Sequence, residues 1–249
     1  MSEHFNKIAK HLDTLSRRHD LSKIFNDFLT LGICAYHTTN LKSRFKDKDP
    51  ENEKLYFSVL DKYNKEEIKY FPEMLSELHL HLDKNPYTDP LGEYYMLNIS
   101  NGKNGQYFTP QPICTLMAKL QGRDPIENKR ISDPACGSGR TLLAIAQIHP
   151  QNAFFGNDNN NTCVKMATLN LFLHNLTAEI NWMNTLSGEW YGGWHINAEN
   201  FGIQPIEKEQ SLEWENANTF QKEQPPFETE KKKTNIKPLS LDQLNLFDP

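Results

Sequence analysis

The run Asp133-Pro134-Ala135-Cys136-Gly137-Ser138-Gly139-Arg140 sets two glycines one residue apart behind an acid. Glycine adopts backbone angles closed to other residues, so Gly137 and Gly139 let the chain turn sharply and approach a ligand closely. A second acid, Asp158, follows Asp133 after 25 residues, in Gly156-Asn157-Asp158. That separation is close to the roughly 20 residues at which nucleotide-binding folds place a carboxylate on ribose hydroxyls. A carboxylate suits the task because it accepts from both hydroxyls. The turn and the spaced acid predict a site for a nucleoside-type cofactor. A tight strand–helix turn with no ligand is the plainer reading of a bare Gly-x-Gly. No Gly-Lys-Ser/Thr follows Gly139, which speaks against a phosphate-binding P-loop.

These residues need a strand before the turn and a helix after it. Ile131 to Asp133 is a short strand candidate, and 140–148 reads as the helix. Segments 153–157 and 178–183 are further strand candidates, separated by a helix over 162–175 with Val164, Ala167 and Leu171 on one face. Strand alternating with helix predicts a parallel α/β sheet. Four helices are expected in the first 83 residues. Phe5, Ile8, Leu12 and Leu15 mark the first, and Leu21, Ile24, Phe28 and Leu31 the second. Leu55, Val59 and Tyr63 mark a third, after a charged loop over 41–52 that contains Pro50. Met74, Leu75, Leu78 and Leu82 mark a fourth, starting near Pro72. NPYTDP (85–90) breaks the pattern, and 204–249 is expected to be a mostly disordered, charged tail.

The chain has 249 residues, enough for one large domain or two small ones, and a net charge of −5. That charge speaks against a surface built to bind nucleic acid everywhere, though not against a local basic face. The four cysteines are far apart, without a Cys-x-x-Cys pair, so neither a disulfide framework nor a metal cluster is expected. No apolar run approaches the ~20 residues of a membrane span, and MSEHFNKIAK has no apolar signal segment. A cytoplasmic location follows as the expectation.

DPACGSG resembles the S-adenosylmethionine motif of N6-adenine DNA methyltransferases, particularly the methylase (modification) subunits of type I restriction-modification systems. GQYFTP (105–110) is similar to the family's other cofactor motif upstream, and GNDNNNTCVKMATLNLFLHN (156–175) to its acidic motif and helix. NTL (184–186) resembles the segment that meets the cofactor's adenine. The resemblance covers about 89–188. It implies a Rossmann-like, S-adenosylmethionine-dependent methyltransferase core over 89–203, with a parallel-type sheet that need not be complete, behind an α-helical region over 1–88. By position, Gln106, Tyr107, Phe108, Thr109 and Pro110 would line the methionine end of the cofactor. Asp133, Ala135, Cys136, Gly137, Ser138 and Gly139 would form the turn beneath it. Asp158 would hold the ribose, and Asn184 would lie near the adenine. Core packing is the alternative for Tyr107 and Phe108, and a turn role is the alternative for Asn184.

The same resemblance implies methyl transfer to the N6 amino group of adenine in DNA, through an Asn/Asp/Ser-Pro-Pro-aromatic motif soon after the third strand. Adenine's amino lone pair is delocalised into its ring. Polar acceptors would hold the amino hydrogens and direct the lone pair at the methyl group, while the aromatic ring stacks on a flipped base. Residues 151–204 contain no proline, so that position is empty. Trp190, Tyr191 and Trp194 stand there instead, for base stacking or for packing. Gln224-Pro225-Pro226-Phe227 is the one similar string, either a catalytic loop or a polyproline-like tail segment. The extra methylene of glutamine would displace its carbonyl by about 1 Å or more, enough to harm an aligned transfer. A catalytically degenerate module of the same family, binding cofactor or DNA without turnover, is the alternative function. DNA is the expected partner, with a specificity subunit or a second methylase chain. Gln243, Leu244, Leu246 and Phe247 lie in QLNLF, which resembles the peptide that docks on the bacterial sliding clamp; packing on its own domain is the alternative. Lys231 to Lys233 could touch DNA phosphates or be simply solvated.

Overall fold

The computed structural model describes residues 3–37, 49–100, 107–120, 127–198 and 201–214. The expectations for Gln106, for Gln224 to Phe227, for Lys231 to Lys233 and for Gln243 to Phe247 lie outside them.

Helix α1 (Glu3–Ser16) buries Phe5, Ile8, Leu12 and Leu15, the stripe its spacing demands. Helix α2 (Leu21–Ala35) is capped by Asp20, whose carboxylate accepts from the Lys23 amide at 3.0 Å. Helix α3 (Pro50–Leu60) begins inside the stretch expected to be a loop. Asp49 caps it, accepting from the Glu51 and Asn52 amides, and Pro50 occupies the first helical position, where no N–H is needed. It ends before Tyr63 and leaves Leu55 exposed, so only Val59 of the expected face is buried within it. Tyr63 is buried beyond the helix end, its hydroxyl donating to Asp27 at 2.9 Å. The one-turn α4 (Lys65–Ile68) carries an Asn64/Glu67 capping box, and α5 (Tyr70–Lys84) packs on α1.

After the break at 85–88, Asp89 caps α6 (Pro90–Tyr95), which runs into a π-helical turn (Met96–Ser100). Helix α7 (Gln111–Leu120) leads to strand β1 (Arg130–Asp133) and α8 (Arg140–Ala146). Strand β2 (Ala153–Asp158), α9 (Asn161–Leu173) and β3 (Thr177–Asn184) follow. These three strands are parallel, in the order β1-β2-β3. Helix α9 is central: it packs on α2, β2 and β3 and buries residues around most of its circumference, Asn170 among them. No helix among the described residues is long and apolar enough to cross a membrane.

Two further strands depart from a purely parallel sheet. The chain turns at Gly188 (φ 70°) into β4 (Glu189–Ile196), antiparallel to β3, and β5 (Ile203–Ile206) runs antiparallel to β4. The stretch rich in Trp and Tyr is therefore sheet: Trp194 packs against the core, and Tyr191 lies on Trp182 with ring centroids 5.0 Å apart. Strand β5 also carries the fold past the boundary expected at 203, and 211–214 return across the sheet. Glu179 on β3, 2% exposed, holds this return. Its carboxylate accepts from Ser211 Oγ (2.7 Å) and from the Leu212 and Glu213 amides (3.2 Å each). Asn181 Nδ2 donates to it at 3.0 Å, and His195 Nε2 lies 3.3 Å away.

Burial alone would raise the Glu179 carboxyl, but hydrogen bonds from His195, Ser211, Asn181 and the Glu213 amide outweigh it and hold the group down to about 2. A depressed carboxylate stabilises the fold above its unfolded value, and that stability disappears as pH falls through the folded value. From an ordinary value of 4.5 to about 2, this corresponds to roughly 3 kcal/mol. Glu179→Gln is expected to lose most of that at pH 7. The gap to the wild type should shrink as pH drops below the ordinary glutamate range. Denaturant titrations that give the same gap at pH 7 and pH 3 would contradict this.

Candidate cofactor site

The glycine turn leaves the carboxyl end of β1 and is tied from several sides. Asp133 accepts from the Ala135 amide at 3.1 Å, and the Cys136 amide donates to the Asn157 carbonyl of β2 at 2.9 Å. Gly137 and Gly139 have φ of 54° and 82°, the left-handed region that favours glycine. Space adds to the requirement at Gly139, where a Cβ would lie 2.8 Å from the Leu171 side chain of α9. Ser138 to Arg140 are buried, while Pro134 and Ala135 are exposed at the mouth.

Asp158 ends β2 beside the turn. Its Oδ2 accepts from the Gly137 amide (2.9 Å) and its Oδ1 from the Asn160 amide (2.8 Å). Each carboxylate oxygen keeps a second lone pair, so Asp158 can hold the turn and still accept from ligand hydroxyls. Burial pushes its carboxyl up, with the Asn160 and Gly137 amides drawing it back and Asp133 adding to the rise. Cys136 is buried and its thiol pushed well up, so it is an inert wall and not a nucleophile.

The residues expected from the upstream motif divide. Phe108 is half-buried, stacked on Tyr95 with centroids 6.0 Å apart, and it packs on Gly137, where a Cβ would come within 3.0 Å of its ring. Tyr107 is 77% exposed. Thr109 and Pro110 are exposed, and the Thr109 carbonyl accepts from Arg140 Nη1 at 3.3 Å. Asn184 makes a turn: its Oδ1 accepts from the Leu186 and Ser187 amides at 3.1 and 3.3 Å. That turn is docked on the glycine loop by Thr185, whose hydroxyl donates to the Pro134 carbonyl at 2.8 Å. Trp182 Nε1 donates to the Asn159 carbonyl at 3.0 Å and so braces the loop after Asp158.

Sequence reading missed the hub beneath the turn. Asp89, 1% exposed, accepts from the Gly92 amide (2.8 Å), Arg140 Nε (2.9 Å), Asn170 Nδ2 (2.8 Å) and the Ser138 hydroxyl. Asn170 also donates to the Ser138 carbonyl at 2.9 Å. One carboxylate thus joins α6, the glycine turn, α8 and α9. Gly92 leaves room for it, since a Cβ there would lie 2.1 Å from Asp89 Oδ2. A signal was present: Asp-Pro is a helix cap with proline at the first helical position.

Two carboxylates at the ends of adjacent strands, over a turn whose backbone a ligand can approach, suit a ligand with sugar hydroxyls and positive charge. Among the described residues no group of three or more His, Cys, Asp or Glu is placed to hold a metal. A cavity of about 450 Å³ opens elsewhere, lined by Asp27, Cys34, Lys62, Lys165 and Trp194 among others. It shares no residue with the glycine turn.

Residues 89–236 match the N-6 DNA Methylase family. The chain is similar to the type I restriction enzyme MpnII methylase subunit of Mycoplasma pneumoniae, 27% identical over 177 residues, which is 65% of this chain and 32% of that protein. It is also similar to the type I restriction enzyme MjaVIII methylase subunit of Methanocaldococcus jannaschii, 31% identical over 96 residues, 35% of this chain and 16% of that one. The chain therefore spans about a third or less of these relatives. Among solved structures, a type I restriction-modification methyltransferase subunit from Streptococcus thermophilus aligns with a TM-score of 0.39 at 17% identity, covering 70% of this chain and 56% of that one.

Proposed function

This chain belongs to the N-6 DNA methylase family, and from that premise we propose that it binds S-adenosylmethionine at the glycine turn and serves methyl transfer to adenine N6 in DNA. The observation that carries the reading is the joint between Asp158 and the Gly137 amide, which makes one unit of the turn and the acid. The bound cofactor would supply an electrophilic methyl group on a positively charged sulfur. The chain's own residues would do the rest. Asp158 accepts from the ribose hydroxyls, and Gly137 and Gly139 let the backbone come close. Asp133 adds negative charge beside a cationic ligand, and Phe108 walls the turn. Thr185 and Asn184 hold the strand-end turn against the glycine loop.

Recognition of the base and of its sequence context would need more than the described residues. A specificity subunit or a second methylase chain fits that need. One observation favours the second reading, a module that binds cofactor without turnover. The position after β3, where a catalytic loop is expected, is filled by the β3–β4 turn over Asn184 to Gly188. Catalysis by this chain would then rest on Gln224 to Phe227.

Labelled methyl transfer to adenine-containing duplex DNA, with and without a specificity subunit, separates the two readings. The methylase reading expects label on adenine N6. It also expects Gln224→Ala to lower the rate at least ~100-fold, as misplacing an aligned reactant does, with cofactor affinity unchanged. Cofactor binding with no label under either condition would leave the non-catalytic reading.

A further inference from the structure

A run of three stacked rings joins the helical region to the glycine turn. Phe25 of α2 stacks on Tyr95 with centroids 6.1 Å apart and planes at 29°. Tyr95 stacks in turn on Phe108, at 6.0 Å and 16°. The edge of the Phe108 ring then meets Gly137, where an added Cβ would lie 3.0 and 3.1 Å from two of the ring carbons. Phe25 and Tyr95 are buried in the core. Phe108 lies in 107–110, outside any helix or strand. No regular element sets the direction of its side chain, so the groups packed around it must.

Helix α6 reaches the turn from both of its ends. Asp89, its cap, holds Ser138 and Arg140 from beneath. Tyr95, its last residue, holds Phe108, and the Arg140 guanidinium lies 6.0 Å from the centre of that same ring. Burial pushes the Tyr95 hydroxyl up, with Cys163 and Asp158 adding to the rise. The hydroxyl therefore stays neutral, close enough to Asp158 to feel its charge. We propose that Tyr95 is a positioning residue of the cofactor site: backed by Phe25, it holds the Phe108 ring against the glycine turn in the orientation that receives the ligand. The inference rests on the reading that this turn binds S-adenosylmethionine. An aromatic ring is negative on its face and positive at its edge, so a cation is attracted to the face alone. The tilt of Phe108 thus decides whether the ring favours or opposes a sulfonium ligand. Tyr95 acts through Phe108 and not on the ligand itself.

Calorimetric titration of the full chain with S-adenosylmethionine, set beside thermal unfolding, tests this. Tyr95→Leu should weaken binding about 10-fold, toward the upper end of the range for one aromatic pair. Tyr95→Phe keeps the ring, drops the hydroxyl and should bind as the wild type does. Phe28→Leu alters a ring of α2 that is as buried as Phe25 and lies outside the stack. It should lower the unfolding temperature and leave the affinity unchanged. Tyr95→Leu combined with Phe108→Leu should bind no more weakly than Phe108→Leu alone, because the first residue works through the second. Phe25→Leu should weaken binding about 2- to 3-fold, the lower end of the same range, and it carries the test if Tyr95→Leu does not fold. Wild-type affinity in Tyr95→Leu, losses at 95 and 108 that add, or Phe25→Leu binding as Phe28→Leu does would overturn the proposal and leave the cofactor reading intact. Tyr95→Phe as weak as Tyr95→Leu would overturn it as well. A wild-type chain that binds no cofactor would overturn that reading, and this proposal with it.

Discussion

Asp89→Ala is expected to cost about 3–5 kcal/mol, the range for removing one partner of a buried ion pair. The variant would leave the Arg140 guanidinium, 9% exposed as a residue, without its counter-charge. It would also strip an acceptor from Ser138, Asn170 and the Gly92 amide, all of them buried from solvent. Burial pushes the Asp89 carboxyl up, and Arg140, Ser138, the Gly92 amide and Asn170 pull it back. The pair is therefore a joint that depends on all its members. Asp89→Asn keeps the shape and loses the charge, so it should be milder than alanine. Asp89→Ala combined with Arg140→Met should recover part of the loss, because it removes the orphaned charge as well. Denaturant unfolding followed by fluorescence of the sheet tryptophans reads these differences. A loss under about 1 kcal/mol for Asp89→Ala would contradict the role given to this joint.

Asp158→Ala is expected to weaken S-adenosylmethionine binding by about 100-fold or more, the scale of losing charge-assisted hydrogen bonds to two hydroxyls. Two effects combine. The ligand loses an acceptor, and the Gly137 amide loses the partner that fixes the turn. The pH dependence follows from the same carboxylate. Burial raises it above the ordinary aspartate range, and protonation removes acceptor capacity. Affinity should therefore begin to fall at a higher pH than an exposed aspartate would dictate. An affinity flat down to the ordinary range near 3.8 would show that Asp158 is not the acceptor.

The elements around the glycine turn were legible because each obeys a local rule. Strands β1, β2 and β3 and helices α8 and α9 begin and end within a few residues of where periodicity and the two glycines place them. Strand β4 was hidden by Gly192 and Gly193, which break the alternation of side chains that marks a strand. Gly193 is there for space, since a Cβ would lie 2.5 Å from Asn181 Oδ1. Helix α3 was legible from Leu55 and Val59, but its start was hidden by Pro50, read as a breaker although Asp49 before it makes it a helix start. The Asp89 hub had no local signature beyond its cap, because its partners stand at 92, 138, 140 and 170 and only the folded chain brings them together. Asn184 was read both as a ligand contact and as a turn residue, and its side-chain carbonyl closes the turn by accepting from the Leu186 and Ser187 amides.

The central claim is that the turn at 133–139 and Asp158 form one cofactor site. Calorimetric titration of the full chain with S-adenosylmethionine tests it most directly, with Asp158→Ala as the comparison. The account predicts saturable binding with one cofactor per chain, and its loss in the variant while the unfolding transition persists. No heat at millimolar cofactor, or equal affinity in both proteins, would contradict it.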